Sequence, residues 1–77
     1  MKQTIELPIS GMTCGACVRH VDAALRAVPG VVSQTVDLAG RRAVITFDPS
    51  AAAVHAMRGA VRDAGFEPGE ARDLPPA

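Results

Sequence analysis

An α+β fold, with two helices packed on one face of a four-stranded antiparallel sheet, is predicted by three features of the sequence. Apolar and polar residues alternate in short runs at 3–9, 31–38 and 42–48. Apolar residues recur at helical spacing in two further runs. Gly- and Pro-containing breaks separate the runs in the order strand, helix, strand, strand, helix, strand. A length of 77 residues admits one small domain, expected over 1–70, with 71–77 as a flexible tail.

The first strand is QTIELPI, in which Ile5, Leu7 and Ile9 point one way and Thr4, Glu6 and Pro8 the other. Pro8 has no N–H, so this strand should lie at an edge or leave that position unpaired. Residues 10–15 form the connecting loop. In 15–28, Val18, Val21, Leu25 and Val28 make an apolar stripe that Ala24 completes, with Thr13 as candidate N-cap and Pro29-Gly30 as the stop. Residues 31–38 place Val32, Val36 and Leu38 on one face. After the turn residues Ala39-Gly40-Arg41, residues 42–48 place Ala43, Ile45 and Phe47 on one face, which completes a hairpin. Asp48-Pro49 is expected to open the second helix, whose stripe is Val54, Met57, Val61 and Ala64 and whose stop is Gly65. Gly59 within it costs about 1 kcal/mol relative to Ala, so packing must hold this helix. Residues 66–70 are a weak final strand, and Asp73-Leu74-Pro75-Pro76-Ala77 reads as tail. This order is the split βαβ, or ferredoxin-like, arrangement βαββαβ.

Composition narrows the function. Eight Lys plus Arg balance eight Asp plus Glu, which argues against nucleic acid as a partner, since phosphate binding draws on a basic surplus. Phe47 and Phe66 are the only aromatic residues, too few for a base-stacking platform. No apolar run approaches the roughly 18 residues of a membrane span, so no direct membrane insertion is expected. The opening residues run straight into strand pattern without a leader-like segment, and the expected location is cytoplasmic.

Cys14 and Cys17 remain. A disulfide across two intervening residues would close too small a loop to constrain the unfolded chain much, and the cytosol is reducing. The pair is therefore placed for chemistry. Cys14 falls in the loop and Cys17 in the first helical turn, where unpaired N–H groups and the helix dipole favour thiolate. Two thiolates without a third ligand suit a soft ion such as Cu(I) or Hg(II). Structural zinc wants four ligands, and calcium or magnesium wants oxygen ligands that the sequence does not cluster. An exposed, undersaturated pair suits passing a metal on. A thioredoxin-type redox pair is the competing reading of CxxC, as thiol–disulfide oxidoreductase.

The string GMTCGAC, followed by VRHVDAALRAVPGV, RAVITFDP and RDAGFEP, resembles the heavy-metal-associated domain family across residues 3–70. That family comprises small copper chaperones, the N-terminal metal-binding domains of copper-transporting P-type ATPases, and mercury-binding domains of bacterial mercury resistance. The resemblance implies a ferredoxin-like fold and metal held by Cys14 and Cys17. It implies Cu(I) as the ion, Hg(II) as the alternative, and no enzymatic activity. The implied partner is a copper-transporting P-type ATPase or its metal-binding domains, with a metal-bridged homodimer as a further option. Met12 matches the motif methionine, which points inward and supports the loop. Thr13 braces the loop, and Gly11 allows its backbone conformation. Phe66 matches the aromatic position near the metal, where chaperones often carry Tyr or Lys and ATPase domains Phe. His20, three residues after Cys17, is weighed as a third ligand against an ordinary solvated residue, and the latter is favoured. His55 has no assigned role. Arg19 and Arg26 are read as a solvated face that an acidic partner could meet.

Overall fold

Why the alternating runs become strands and the striped runs helices is visible in what each buries. The computed structural model describes residues 2–74. It contains β1 (Gln3–Ser10), α1 (Gly15–Arg26), β2 (Val31–Asp37), β3 (Arg42–Phe47), α2 (Val54–Asp63), β4 (Glu67–Pro68) and β5 (Arg72–Leu74). The strands form one antiparallel sheet in the order β2-β3-β1-β4, with β5 also paired to β1.

Ile5, Leu7 and Ile9 of β1 and Ala43, Ile45 and Phe47 of β3 are all buried, as their alternation predicts. They form one hydrophobic cluster with Val21 and Leu25 of α1 and Met57 and Val61 of α2. Both helices therefore cover the same face of the sheet. Burial of these stripes is what stabilises helices of only 12 and 10 residues, lengths marginal in isolation.

Four local features depart from the sequence expectation. First, α2 begins at Val54 rather than at Asp48-Pro49. The Asp48 carboxylate instead accepts bonds from the Ser50 N–H (3.0 Å) and hydroxyl (2.7 Å). The Ala51 and Ala52 N–H groups bond the Asp48 carbonyl at 2.9 and 2.8 Å, closing a separate turn before the helix.

Second, β2 carries a bulge: Val31 faces Phe47 while Ser33 faces Thr46, so Val32 is the extra residue. Val32 is 53% exposed, and Leu38, beyond the strand end, is 38% exposed. Of the expected face, Val36 alone packs against the core. The bulge turns Gln34 toward the helices, where its amide donates to the Asp22 carboxylate at 3.2 Å.

Third, α1 has Cys14 rather than Thr13 at its N-cap. Fourth, Arg72–Leu74, placed in the expected tail, pairs with Glu6, Ile5 and Thr4; residues 75–77 lie outside the described residues.

Pro8 explains why the last edge is split into two strands. The Gly69 N–H bonds the Pro8 carbonyl at 2.7 Å, so Pro8 turns its backbone toward that edge. Having no N–H to return the bond, it leaves the ladder open between β4 and β5. Thus β1 is central rather than an edge strand, and Pro8 stays in register with Arg42 of β3; what is missing is only the N–H bond on the β4/β5 side. Gly30, at φ +92°, closes the turn into β2 at the pole away from Cys14. A Cβ there would lie 2.8 Å from Ala51 and Ala52 backbone atoms, and the Gly30 carbonyl accepts the Asp48 N–H at 2.9 Å.

Candidate metal centre

Three connections meet at one pole of the sheet: the loop from β1 to α1, the β2–β3 turn, and the link from α2 to β4. The Ile9 N–H bonds the Arg41 carbonyl at 2.8 Å, and Ser10 pairs with Glu67. Cys14 and Cys17 sit at this pole.

Cys14 stands just outside α1 in an extended conformation (φ −156°, ψ 169°), and its carbonyl accepts the first helical bond, from Val18, at 3.3 Å. Its side chain makes no capping bond and is exposed, so the sulfur is available. Cys17, one turn into the helix, is half-buried with its side chain packed against the core edge. The spacing brings the two sulfurs to 3.1 Å of one another, and neither is in a disulfide.

The Thr13 backbone N–H, hydrogen-bonding to the Cys17 sulfur, holds that thiol below its ordinary value. The Cys14 side chain acts in the same direction. Both stabilise the ionised sulfur more than partial desolvation opposes it.

The loop is held from beneath and beside. Met12 is 3% exposed and belongs to the hydrophobic cluster, so its thioether serves packing. Gly11 has φ +98°, a conformation that a side chain resists. A Cβ at Gly11 would lie 3.5 Å from the Phe66 ring, which packs against the core and flanks the loop. His20 is exposed. Among the described residues, no His, Asp, Glu or further Cys joins the sulfur pair as a group of three. His55 is exposed and lines a groove between the two helices with Ala24, Ala27 and Gly59. Arg26 pairs with Asp22 at 2.7 Å, whereas Arg19 has no ion-pair partner among the described residues.

The fold also recruits residues that the sequence pattern does not single out. Ser10, Arg62 and Glu67 join Gly11, Gly65 and Phe66 around a hollow of about 430 Å³ beside the loop. The charges flanking Gly65-Phe66 are visible in the sequence. Their placement against Ser10 depends on the pairing of β4 with β1, which no local pattern announces.

The heavy-metal-associated domain model matches residues 6–67. A copper-transporting ATPase of Rhizobium meliloti (strain 1021), "Copper-transporting ATPase 2", is 47% identical over 64 residues, covering 83% of this chain and 8% of the ATPase. The "Mercuric transport protein periplasmic component" of Shigella flexneri is 44% identical over 64 residues, covering 83% of this chain and 70% of that protein. A solved copper binding domain from HMA7, a P-type ATPase, superposes with TM-score 0.84 at 38% identity, covering 95% of both chains. The chain thus spans a small fraction of the ATPase it matches and most of the mercuric protein. No helix among the described residues is long and apolar enough to cross a membrane.

Proposed function

The chain belongs to the heavy-metal-associated domain family, and from that premise we propose that it carries Cu(I) on Cys14 and Cys17 and passes it to a partner by thiolate exchange. The observation that carries this reading is the sulfur pair itself: 3.1 Å apart, one exposed, and without a third protein ligand among the described residues. Thiolates are the donors a soft monovalent ion prefers. Two of them hold it while leaving a coordination position open. A partner's thiolate enters that position, a three-coordinate bridge forms, and one sulfur of this chain leaves. No substrate bond is broken, so the role is not enzymatic.

The apo spacing has a consequence for loading. Two thiolate–metal bonds of about 2.3 Å in line would span about 4.6 Å, so the sulfurs must part as the ion enters. Cys14 can supply that motion, because its backbone precedes the helix and its exposed side chain carries no capping bond. Cys17 stays fixed by the helix. The proposed partner is a copper-transporting P-type ATPase or its metal-binding domains, in keeping with the ATPase similarity. The proposed location is the cytoplasm, whose reducing conditions would keep the pair as thiols.

An anaerobic Cu(I) competition titration against a strong chelator tests the reading. One ion per chain is expected, with tight binding lost in both Cys14→Ser and Cys17→Ser. Full affinity in either variant overturns the site. His20→Ala is expected to leave affinity within about twofold, as suits an exposed side chain outside the pair. Hg(II) is the second reading, favoured by the 44% identity to the mercuric transport protein. Induction of the gene by mercury and not by copper would decide for it. Thiol–disulfide exchange would instead show as metal-free reduction of insulin, which is not expected.

A further inference from the structure

The groove between the two helices has Ala24 and Ala27 of α1 on one bank and Ala56, Gly59 and Ala60 of α2 on the other. His55 and Asp63 line it at the two ends of α2. Neither has a side-chain hydrogen-bond or ion-pair partner among the described residues. Two features of α2 are unfavourable within one chain. Glycine in a helix interior costs about 1 kcal/mol relative to Ala, yet a Cβ at Gly59 would meet nothing within 4 Å. An approach close enough to call for glycine must therefore come from outside the chain. His55 stands in the first turn, which has no acidic residue, and Asp63 is the last helical residue. An imidazolium and a carboxylate so placed both oppose the helix dipole, whose positive end is the N-terminus. Gly59 is midway between them, four residues from each, so all three share one side of the helix.

We infer that this face binds a second copy of the chain, α2 against α2 and antiparallel, about a two-fold axis at Gly59. A surface that meets itself across a two-fold must be self-complementary, and the midpoint position of Gly59 supplies that. His55 of each copy lies level with Asp63 of the other, so the contact is made twice. The imidazole donates an N–H to the carboxylate whether it carries one proton or two. The same carboxylate reaches the positive end of the facing helix, which corrects its placement on its own. At the axis glycine faces glycine, and the helices can approach to about 8 Å, with Ala24 and Ala27 flanking the contact. Because α2 runs toward the pole of Cys14, antiparallel copies direct their sulfur pairs to opposite ends and cover neither. The dimer is therefore distinct from a metal-bridged one and does not rest on the metal-carrier reading. Two short helices bury an area at the low end of specific interfaces, under about 1,200 Å². The association is reversible, with a dissociation constant of about 0.1 mM.

Sedimentation equilibrium of the metal-free, reduced protein tests this. The average mass is expected to climb from monomer toward dimer as concentration rises through about 0.1 mM. A protein that stays monomeric to about 1 mM, ten times that constant, or that associates only with Cu(I) or after thiol oxidation, overturns the inference. Gly59→Glu places two like charges face to face at the axis and is expected to weaken association at least about tenfold. His55→Glu and Asp63→Lys each set like charges opposite one another and are each expected to weaken it at least about fivefold. Both side chains are exposed, and Glu in the first turn and Lys in the last suit the helix dipole, so neither variant loses association by unfolding. Their circular dichroism should match the parent. An equal mixture of the two should associate again, to within about threefold of the parent, because Glu at 55 of one copy then meets Lys at 63 of the other. A mixture no better than either variant alone overturns the antiparallel register, and parental association in Gly59→Glu overturns the face. Cys14→Ser should associate as the parent does; loss there would assign the dimer to the sulfur pole instead.

Discussion

Cys14 and Cys17 are three residues apart in sequence and unlike in setting. Cys17 is anchored by the helix and has the Thr13 N–H directed at its sulfur, whereas Cys14 is exposed on an extended backbone. A consequence is testable by following thiolate absorbance against pH. In Cys14→Ala, which leaves no donor at this position, the Cys17 thiol should titrate above its position in the parent, because one of its two main stabilising contacts is gone. It should still titrate below the ordinary value of 9.0, because the Thr13 N–H, the larger influence, remains. A midpoint at or above 9.0 would refute that assignment of cause. The sign for metal binding follows. A lowered thiol value means the thiolate persists as pH falls below 9.0, so metal competes with fewer protons near neutrality. The part of proton competition that falls on Cys17 should set in only once the pH drops through its lowered value. At this scale the sequence was informative about the pair, because i, i+3 spacing at a helix start turns both side chains to one side. It was silent on Arg62, Glu67 and Ser10, whose meeting is a matter of strand pairing.

The elements were legible where the apolar pattern alone decides. Ile5-Leu7-Ile9, Ala43-Ile45-Phe47, Val21-Leu25 and Met57-Val61 all face inward as their periods require. Three misreadings arise where something other than the local apolar pattern decides: a side-chain bond, an extra residue or a distant strand edge. Asp48 has the look of a helix cap but spends its carboxylate on Ser50. Val32 has the right parity for the core, and the bulge cancels it. Arg72–Leu74 has too little apolar content to announce a strand, and pairs because the neighbouring β1 edge is open there. Two glycines give predictions of opposite sign at this scale. Gly30→Ala combines a left-handed φ with a 2.8 Å approach to the Ala51–Ala52 backbone. It should cost at least about 1 kcal/mol, or a fall in Tm of about 4–8 °C. Gly59 lies inside α2, and a methyl group added to its Cα would meet nothing within 4 Å. Gly59→Ala should therefore add about 0.5–1 kcal/mol. Thermal denaturation of the two variants checks both, and equal shifts would contradict the distinction.

For the molecule as a whole, the core is complete without the sulfurs. The residues buried to 2% or less include Phe47, Ile5, Leu7, Leu25, Ile45, Met57, Val21 and Val61, and no cysteine. The apo protein should accordingly give a helical and sheet circular dichroism spectrum and unfold cooperatively, with a strong Cu(I) chelator leaving the spectrum unchanged. A random-coil spectrum without metal would contradict this. Met57→Ala, by contrast, should cost about 2–5 kcal/mol. That is a large share of the roughly 4–12 kcal/mol expected of a chain this size. The pairing of Thr4 with Leu74 has a mechanical consequence. Both ends of the described chain lie side by side at the pole away from Cys14, about 20 Å down a strand of this rise. Any leash fastened at either end would pull on one shared anchor point. The domain could then swing through a wide arc like a lantern on a cord, offering its cargo in every direction while the grip on it goes undisturbed.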